Sequence, residues 1–402
     1  MYKRNLVFAA ACLGMFVFGV VFLSLGSVVN MLKAKFSLDQ SGVGTLTAVL
    51  PLGILLGSLI FGPIVDRYGY KALLAISVLL VALGLEGLAL AGTPGAVRVC
   101  FFLIGFGGGS LNGGTNALVA DISEGERGAK LSLLGVSFGL GALAITGVLA
   151  ALSGIARDET VVAVIGATIV APVVYFLTLR FPAPKQGKGF AIKEGLALLR
   201  EPALLLFALV AFFQSGLEGT TNDWSPVFMK EKALFSDRQA RFILTSYVAA
   251  MTVTRIMLSR LRELTSSRRV LFASLAVAYS GCLMVLFSPA SSVTVAGLLL
   301  LGVGYAACFP VVLGFVADVF PRRSGTAFGV LFSVALIGNM TINKSTGWIT
   351  QAYHDVGQLP KVLLVALVAL TISLSLALFR LKKLNALKSS VPASESAAAV
   401  TT

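Results

Sequence analysis

Charged residues, histidine and cysteine are all scarce in this sequence: of 402 residues, 12% are charged, one is histidine and four are cysteine. The single histidine, His354, cannot build a metal cluster by itself, and no cysteine has the spacing of a metal ligand. We interpret the cysteines as small packing side chains in apolar stretches: Cys12, Cys100, Cys282 and Cys308. These shortages argue against a metal centre and a disulfide framework, and we expect no cofactor.

Apolar residues are abundant, since 57% of the chain is hydrophobic and its mean hydropathy is +0.91, which excludes a water-soluble protein. A helix that crosses a bilayer needs about 20 mostly apolar residues. Twelve stretches meet this requirement: 5–30, 41–65, 71–92, 96–120, 128–153, 160–180, 202–228, 238–259, 268–289, 292–317, 324–351 and 359–381. The first is too long for a cleaved signal peptide and predicts the first transmembrane helix.

The net charge of +14 reflects where lysine and arginine lie in the loops. Most of them fall in alternate loops, on the side of the membrane that holds both termini and the central loop. By the positive-inside rule this side is the cytoplasm. We therefore predict a multi-pass integral protein of the bacterial inner (plasma) membrane with both termini cytoplasmic. We expect attraction to lipid headgroups and no nucleic-acid partner.

The two halves of the sequence repeat each other. Residues of matching character recur 197 positions apart, and the charged pairs are Lys33 with Lys230, Asp66 with Glu263, Lys71 with Arg268 and Asp121 with Asp318. Parallel repeats of this kind favour a transporter whose substrate site lies where the halves meet. We predict an N-terminal six-helix half at 1–180, a cytoplasmic linker at 181–201, a C-terminal six-helix half at 202–384 and a disordered cytoplasmic tail at 385–402.

A motif follows the predicted second span. It reads Gly62-x-x-x-Asp66-Arg67-x-Gly69-x-Lys71 and resembles the signature between helices 2 and 3 of the major facilitator superfamily. Three further segments resemble the fucose–glucose–galactose:proton symporters and related sugar permeases of that superfamily: "GFGGGSLNGGTNALVAD", "RGAKLSLLGVSFGLGAL" and "FFQSGLEGTTNDWSPVFMKE". The resemblance implies an all-α polytopic membrane protein with twelve transmembrane helices in two pseudo-symmetric six-helix halves, and transport by alternating access.

Polar side chains in the predicted spans 4, 7 and 11 recur every four residues and therefore share helical stripes. Amides donate and accept hydrogen bonds, which suits a polyhydroxyl ligand. The resemblance places spans 4 and 7 beside the central cavity. We predict a sugar site near the membrane midplane at Asn112, Asn116, Gln214, Glu218, Asn222, Trp224, Asn339, Asn343 and Lys344. The alternative for the amides is hydrogen bonding between helices, at about 0.6 kcal/mol each.

Two carboxylates of span 7 are candidates for proton coupling. Glu218 is the first, because a carboxyl group can be neutral when shielded and ionised when the cavity opens to water. Asp223 is the alternative, nearer the outer face. Lys344, deep in span 11, has three interpretations: an ion pair with one of these acids, a contact to an anionic substrate, or a side chain that extends to the outer surface.

The resemblance also assigns gating residues to the cytoplasmic side. Asp66 and Glu263 lie at matching ends of spans 2 and 8, where the start of a helix from the opposite half would favour an anion by about 0.3–1 kcal/mol. Arg67 and Lys71 belong to the same motif as Asp66. Arg255, in span 8 near the cytoplasmic side, is expected to act in gating or structural pairing.

These features predict a secondary active transporter that moves a small polar solute, a hexose or related sugar, in symport with protons. The alternatives are an exporter of drugs or metabolites with the same fold and a transporter of an anionic sugar or carboxylate. A membrane sensor is disfavoured because we find no soluble output domain in this sequence. An enzyme is disfavoured because the sequence contains no convincing nucleophile–base pair. We expect a monomer.

Overall fold

The computed structural model describes residues 2–123, 127–183, 201–261, 267–287, 291–320 and 324–390, and the secondary structure in these ranges is helical, without a β-strand. Within these ranges, twelve helices are long and apolar enough to cross a membrane. We number them α1–α12: Arg4–Phe36, Gln40–Phe61, Arg67–Leu90, Pro94–Val119, Leu133–Leu152, Asp158–Thr178, Pro202–Glu231, Asp237–Leu258, Arg268–Phe287, Ser291–Val316, Ala327–Ala352 and Val356–Lys382. The predicted all-α polytopic fold is confirmed.

Short-range signals explain where several helices begin and break. Asp39 caps α2 because its carboxylate accepts a hydrogen bond from the Gly42 N–H at 2.6 Å. Thr93 caps α4 in the same way, followed by Pro94 at the first helical position. The helix Gln40–Leu90 is interrupted at Gly69, whose φ of 78° is a conformation that glycine adopts readily. This break lies in the motif described above, two residues after the start of α3.

Small residues let the helices approach closely, as lipid-embedded packing requires. In α4 a cluster of glycines contacts three neighbouring helices. A Cβ on Gly105 or Gly109 would fall against α2, one on Gly107 would lie 2.5 Å from the Ser77 carbonyl of α3, and one on Gly108 would meet Val21 of α1 at 2.5 Å. The cluster therefore makes α4 the centre of its half.

Residues 2–183 and 201–390 are called the N-terminal and C-terminal halves below. Most of the predicted linker lies outside the described residues. Of the predicted disordered tail, 385–390 belong to the helix Leu359–Ser390, and 391–402 lie outside the described residues, so these boundaries stay predictions. The halves meet through α1 with α7, α2 with α11, and α5 with α8. On α2 and α11 the backbones nearly touch, since a Cβ on Gly44 would lie 2.8 Å from the Cα of Gly347.

Contacts between the halves concentrate at one end of the bundle, where α1 ends and α2 begins. We call this the closed end and the opposite one, where the described chain begins and finishes, the terminal end. Several hydrogen bonds and ion pairs join described residues of the two halves at the closed end. The residues involved are Asn30, Lys33, Gln40, Thr45, Leu149, Asp158, Pro226, Glu231, Arg241, Lys344 and Gln351.

Candidate functional site

A small pocket lies between the halves, lined by α1, α2, α7 and α11. Its cavity volume is about 10 Å³, room for about one water molecule, so the pocket must widen to admit a larger solute. Its two walls differ in chemistry. The N-terminal half supplies an apolar wall and the C-terminal half a largely polar one. The lining residues are Phe22, Leu50, Pro51 and Ile54 on the first wall and Gly219, Asn222, Asp223 and Asn339 on the second. We call this space the central pocket.

The sequence of α7 explains the polar wall. Gly219, Asn222 and Asp223 are spaced by three and four residues and therefore share one face of the helix. Gly219 has no side chain, so Asn339 of α11 packs directly over its Cα. Gly26 plays the same part on α1, because a Cβ there would fall against the Asn222 backbone. Two glycines thus bring three helices together around the pocket.

Asp223 is the most unusual group of the pocket. Only 5% of the residue is exposed, and its carboxylate forms no hydrogen bond or ion pair with any described residue. The amide oxygen of its neighbour Asn222 is also buried without a partner among the described residues. A buried polar group without a partner is costly. The wall therefore presents two unused acceptors to a ligand that donates hydrogen bonds, or to a proton.

Asn339 and Asn343 form a second layer on α11. The Asn339 amide donates to the Ser215 carbonyl of α7 at 3.3 Å, and the Asn343 amide donates to the Asn339 side-chain oxygen at 2.8 Å. Both residues are buried. The structure places Asn339 on the pocket and Asn343 behind it, where its hydrogen bond orients the first amide.

The predicted stripe of Gln214, Glu218 and Asn222 is divided among different neighbours. Positions four apart advance by about 40° around a helix, so the stripe turns across α7. Gln214 donates to the Tyr305 carbonyl of α10 at 3.0 Å, while only Asn222 reaches the central pocket. Glu218 lies between them and faces α8.

Glu218 is held by an arginine. A guanidinium nitrogen of Arg255 donates to both carboxylate oxygens, at 3.1 and 3.0 Å. The pair is unequally shielded, since the side chain of Glu218 is 9% exposed and that of Arg255 is 28% exposed. Both residues belong to the C-terminal half. The acid is therefore paired within its own half, and the arginine stays partly exposed.

Asn112 and Asn116 lie at a different depth. The Asn116 amide donates to the carbonyl and the side-chain oxygen of Asn112, at 2.9 and 3.1 Å, and both residues are half-buried. On α1, Gly14 faces Thr115, whereas Gly26 faces Asn222. Twelve helical residues span about 18 Å. The asparagines of α4 thus lie well toward the terminal end from the central pocket.

Trp224 does not line the central pocket. It follows Asn222 by two residues and so lies on the opposite face of α7, fully buried, with its indole N–H lacking a partner among the described residues. We predicted Trp224 as part of the sugar site, but in this conformation its ring is buried and does not line the pocket. Because a helix has 3.6 residues per turn, two positions two residues apart point in nearly opposite directions.

Lys344 reaches across the halves at the closed end. Its ammonium donates to the hydroxyl of Thr45 on α2 and lies 5.5 Å from the centre of the Trp348 ring. It forms no ion pair with an acid in the described ranges. The ion pair with Glu218 or Asp223 is therefore absent in this conformation, and the side chain is directed toward the closed end.

The predicted gate is only partly described. Arg67 is exposed, with its guanidinium 5.3 Å from the Tyr68 ring, and Lys71 is half-buried. The side chain of Asp66 and the whole of Glu263 lie outside the described residues, so their pairing stays a prediction. Arg255, the fifth predicted gate residue, binds Glu218 as described above.

Sequence reasoning missed the ion pair of Arg241 and Asp158, which joins α8 to α6 across the halves. It also missed that Lys33 pairs with Glu231, which in turn accepts from Gln40 at 3.0 Å. We counted these cations only as loop charges. The one available signal was their position beside acids at the ends of predicted spans.

Comparison with known proteins gives a consistent result. Residues 8–236 and 225–400 match the profile of the Major Facilitator Superfamily. The glucose/mannose transporter GlcP of Bacillus subtilis is 22% identical over 350 residues, covering 83% of this chain and 85% of that protein. The cis,cis-muconate transport protein of Acinetobacter baylyi is 23% identical over 355 residues, covering 83% and 84%.

Solved structures share the fold. The D-xylose–proton symporter superposes with a TM-score of 0.77 at 15% identity, covering 92% of this chain and 96% of that one. The nucleoside transporter NupG superposes with a TM-score of 0.76 at 15% identity, covering 93% and 98%. At this identity the likeness concerns the architecture alone.

Proposed function

This chain belongs to the Major Facilitator Superfamily of transporters, and on that premise we propose that it moves a hexose or related sugar in symport with protons. The central pocket carries the proposal. It lies between the halves, where alternating access exposes a site to each side in turn. Its polar wall offers amide and carboxylate groups, and its apolar wall suits the carbon face of a sugar ring.

The charge of the pocket favours a neutral substrate over an anionic one. Asp223 supplies a carboxylate, and none of the residues that line the pocket is a cation. The ammonium of Lys344 is engaged with Thr45 and Trp348 instead. The alternative is a carboxylate substrate, as the name of the muconate-transporting relative indicates for that protein. In this chain, binding a carboxylate would require Lys344 to turn toward the pocket.

For the coupling proton we propose Asp223 in this conformation, ahead of Glu218. The carboxylate of Glu218 is already engaged by two hydrogen bonds from Arg255. Asp223 has no such partner among the described residues, and it borders the substrate pocket. Proton uptake there would remove a buried charge at the moment when the pocket closes around its substrate. Glu218 and Arg255 would then part only in another conformation.

We further propose that the closed end faces the outside. The terminal end carries more of the lysine and arginine residues, which places it in the cytoplasm by the positive-inside rule. The protein then has both termini inside, in a bacterial inner membrane. We expect a monomer surrounded by lipid.

The test is uptake of a labelled hexose panel into proteoliposomes, with and without an inward proton gradient. We expect one sugar to accumulate only with the gradient. Asn222→Ala should weaken its affinity at least about tenfold, the cost of a lost hydrogen bond in a buried site. Ser225→Ala, one turn along α7 and off the pocket, is the matched control. Uptake of muconate-like dianions but of no neutral hexose would overturn the sugar assignment.

A further inference from the structure

Arg241 is the only lysine or arginine that the described part of the chain buries, with 3% of the residue exposed. It lies one turn into α8, at the closed end. A charged side chain is rarely buried unless it is paired and hydrogen-bonded. Its partners therefore show what this charge is for.

Those partners all belong to the opposite half. One guanidinium nitrogen donates to a carboxylate oxygen of Asp158 at 2.6 Å and to the Leu149 carbonyl at 3.4 Å, and the second nitrogen donates to the other oxygen of Asp158. Asp158 is the first residue of α6, and Leu149 lies in the last turn of α5. The two parallel hydrogen bonds fix the relative orientation of the groups. One side chain of α8 thus holds the ends of two helices of the other half.

Neighbouring acids do not share this arrangement. Glu159, the next residue, pairs with Lys35 of its own half at 3.4 Å, and about a third of each side chain is exposed. The residue 197 positions after Asp158 is Asp355, which pairs with Lys232 of its own half at 3.3 Å and is likewise exposed. Both halves therefore begin their sixth helix with an acid, but only Asp158 has an arginine of the other half as its partner.

We propose that Arg241 and Asp158 are the positioning pair that sets how readily the closed end opens. When α8 separates from α5 and α6, both charges leave a shielded site and must be hydrated, and they pair again when the end closes. The inference rests on alternating access but not on the identity of the substrate. A purely structural pair would affect stability alone. The pair proposed here should also change the side of the membrane from which the central pocket is accessible.

The test measures access from the closed-end side. Ile54 lines the pocket and is buried, so a single cysteine at this position, with the four native cysteines replaced, reports the opening. A membrane-impermeant maleimide is applied to sealed vesicles from the closed-end side. We expect Asp158→Asn to label about tenfold faster than the parent, since a population shift of this size follows from losing a bidentate pair. Glu159→Gln is the matched control and should label at the parent rate.

Two further variants keep the result decisive. Exchanging the charges, Asp158→Arg with Arg241→Asp, should return labelling toward the parent rate, because the pair can form again with its charges exchanged. If Asp158→Asn does not fold, Arg241→Lys is used instead. It retains the positive charge but loses the two parallel hydrogen bonds, and it should label at an intermediate rate. Equal labelling of Asp158→Asn and Glu159→Gln, or no recovery in the exchanged variant, would overturn the proposal. Because labelling needs no substrate, a failed sugar assay leaves this result intact.

Discussion

α1 and α7 occupy matching places in the two halves, yet they differ in chemistry. The residues of α1 that lie 197 positions before Gln214, Glu218 and Asn222 are Val17, Val21 and Leu25, and all three are buried and apolar. Gly19 and Gly216, also 197 positions apart, both serve close packing. The repeat has therefore retained its backbone contacts while the described polar groups of the central pocket lie in the C-terminal half.

The two halves therefore contribute differently to the central pocket. Close packing depends on small residues at fixed positions, so both halves keep them. Recognition needs only one wall with hydrogen-bonding groups, and each polar group placed in the membrane is costly. The N-terminal half instead contributes an apolar wall to the pocket and the acid Asp158 to the closed end.

Removing the charge of the polar wall should have the largest effect. Asp223→Asn keeps the shape of the pocket but cannot take up a proton. We expect the loss of gradient-driven accumulation, with uptake falling to the equilibrium level, while exchange of labelled for unlabelled sugar persists. Uptake with and without a proton gradient, in parallel with counterflow, measures both. Accumulation that survives this substitution would move the coupling site to Glu218 or away from α7.

Giving α1 the polarity of α7 should cost stability. Leu25→Asn places an amide at a fully buried apolar position, and we expect a loss of about 2–4 kcal/mol from lost packing and an unsatisfied polar group. Thermal unfolding of the detergent-purified protein measures it. The reverse change, Asn222→Leu, removes a buried amide oxygen that has no described partner. It should change stability by less than about 1 kcal/mol while abolishing sugar affinity. Equal destabilisation by both changes would contradict this difference between α1 and α7.

Breaking the ion pair inside the C-terminal half should have a smaller effect on stability. Breaking a fully buried pair costs about 3–5 kcal/mol, and because 28% of the Arg255 side chain is exposed we expect Glu218→Gln to cost about 2 kcal/mol. The double variant Glu218→Gln with Arg255→Gln should recover part of this loss, as a double-mutant cycle in the same unfolding assay would show. Additive losses would mean that the two groups do not interact.

The smallest effect concerns the acid at the start of α12. The Gly357 N–H lowers the pKa of Asp355 below its usual 3.8, with a further contribution from Lys232. A carboxyl group whose pKa is lower in the folded state stabilises the protein above its unfolded pKa. That contribution disappears as the pH falls through the folded pKa. Asp355→Asn should therefore lower stability at pH 6 by less than about 1 kcal/mol, and the difference from the parent should vanish in strong acid. A difference that persists there would point to packing instead.

The sequence by itself determined the twelve spans, the repeat and the transporter class. Hydropathy over about 20 residues and a 197-residue register are local or linear properties of the chain. They predicted an interruption between the spans 41–65 and 71–92, and the backbone breaks there at Gly69. The glycine cluster of α4 is also a feature of the sequence, and close helix packing in lipid requires such small residues.

Only the tertiary structure decided which polar groups face one another. Gln214, Glu218 and Asn222 share a stripe in sequence, but the helices that surround α7 assign them to α10, α8 and the pocket. Arg241 reads as a loop cation, yet the docking of α8 on α5 and α6 buries it against Asp158. The physical reason is that a helical period fixes the direction of a side chain within its own helix. What that side chain meets depends on contacts between helices far apart in the chain.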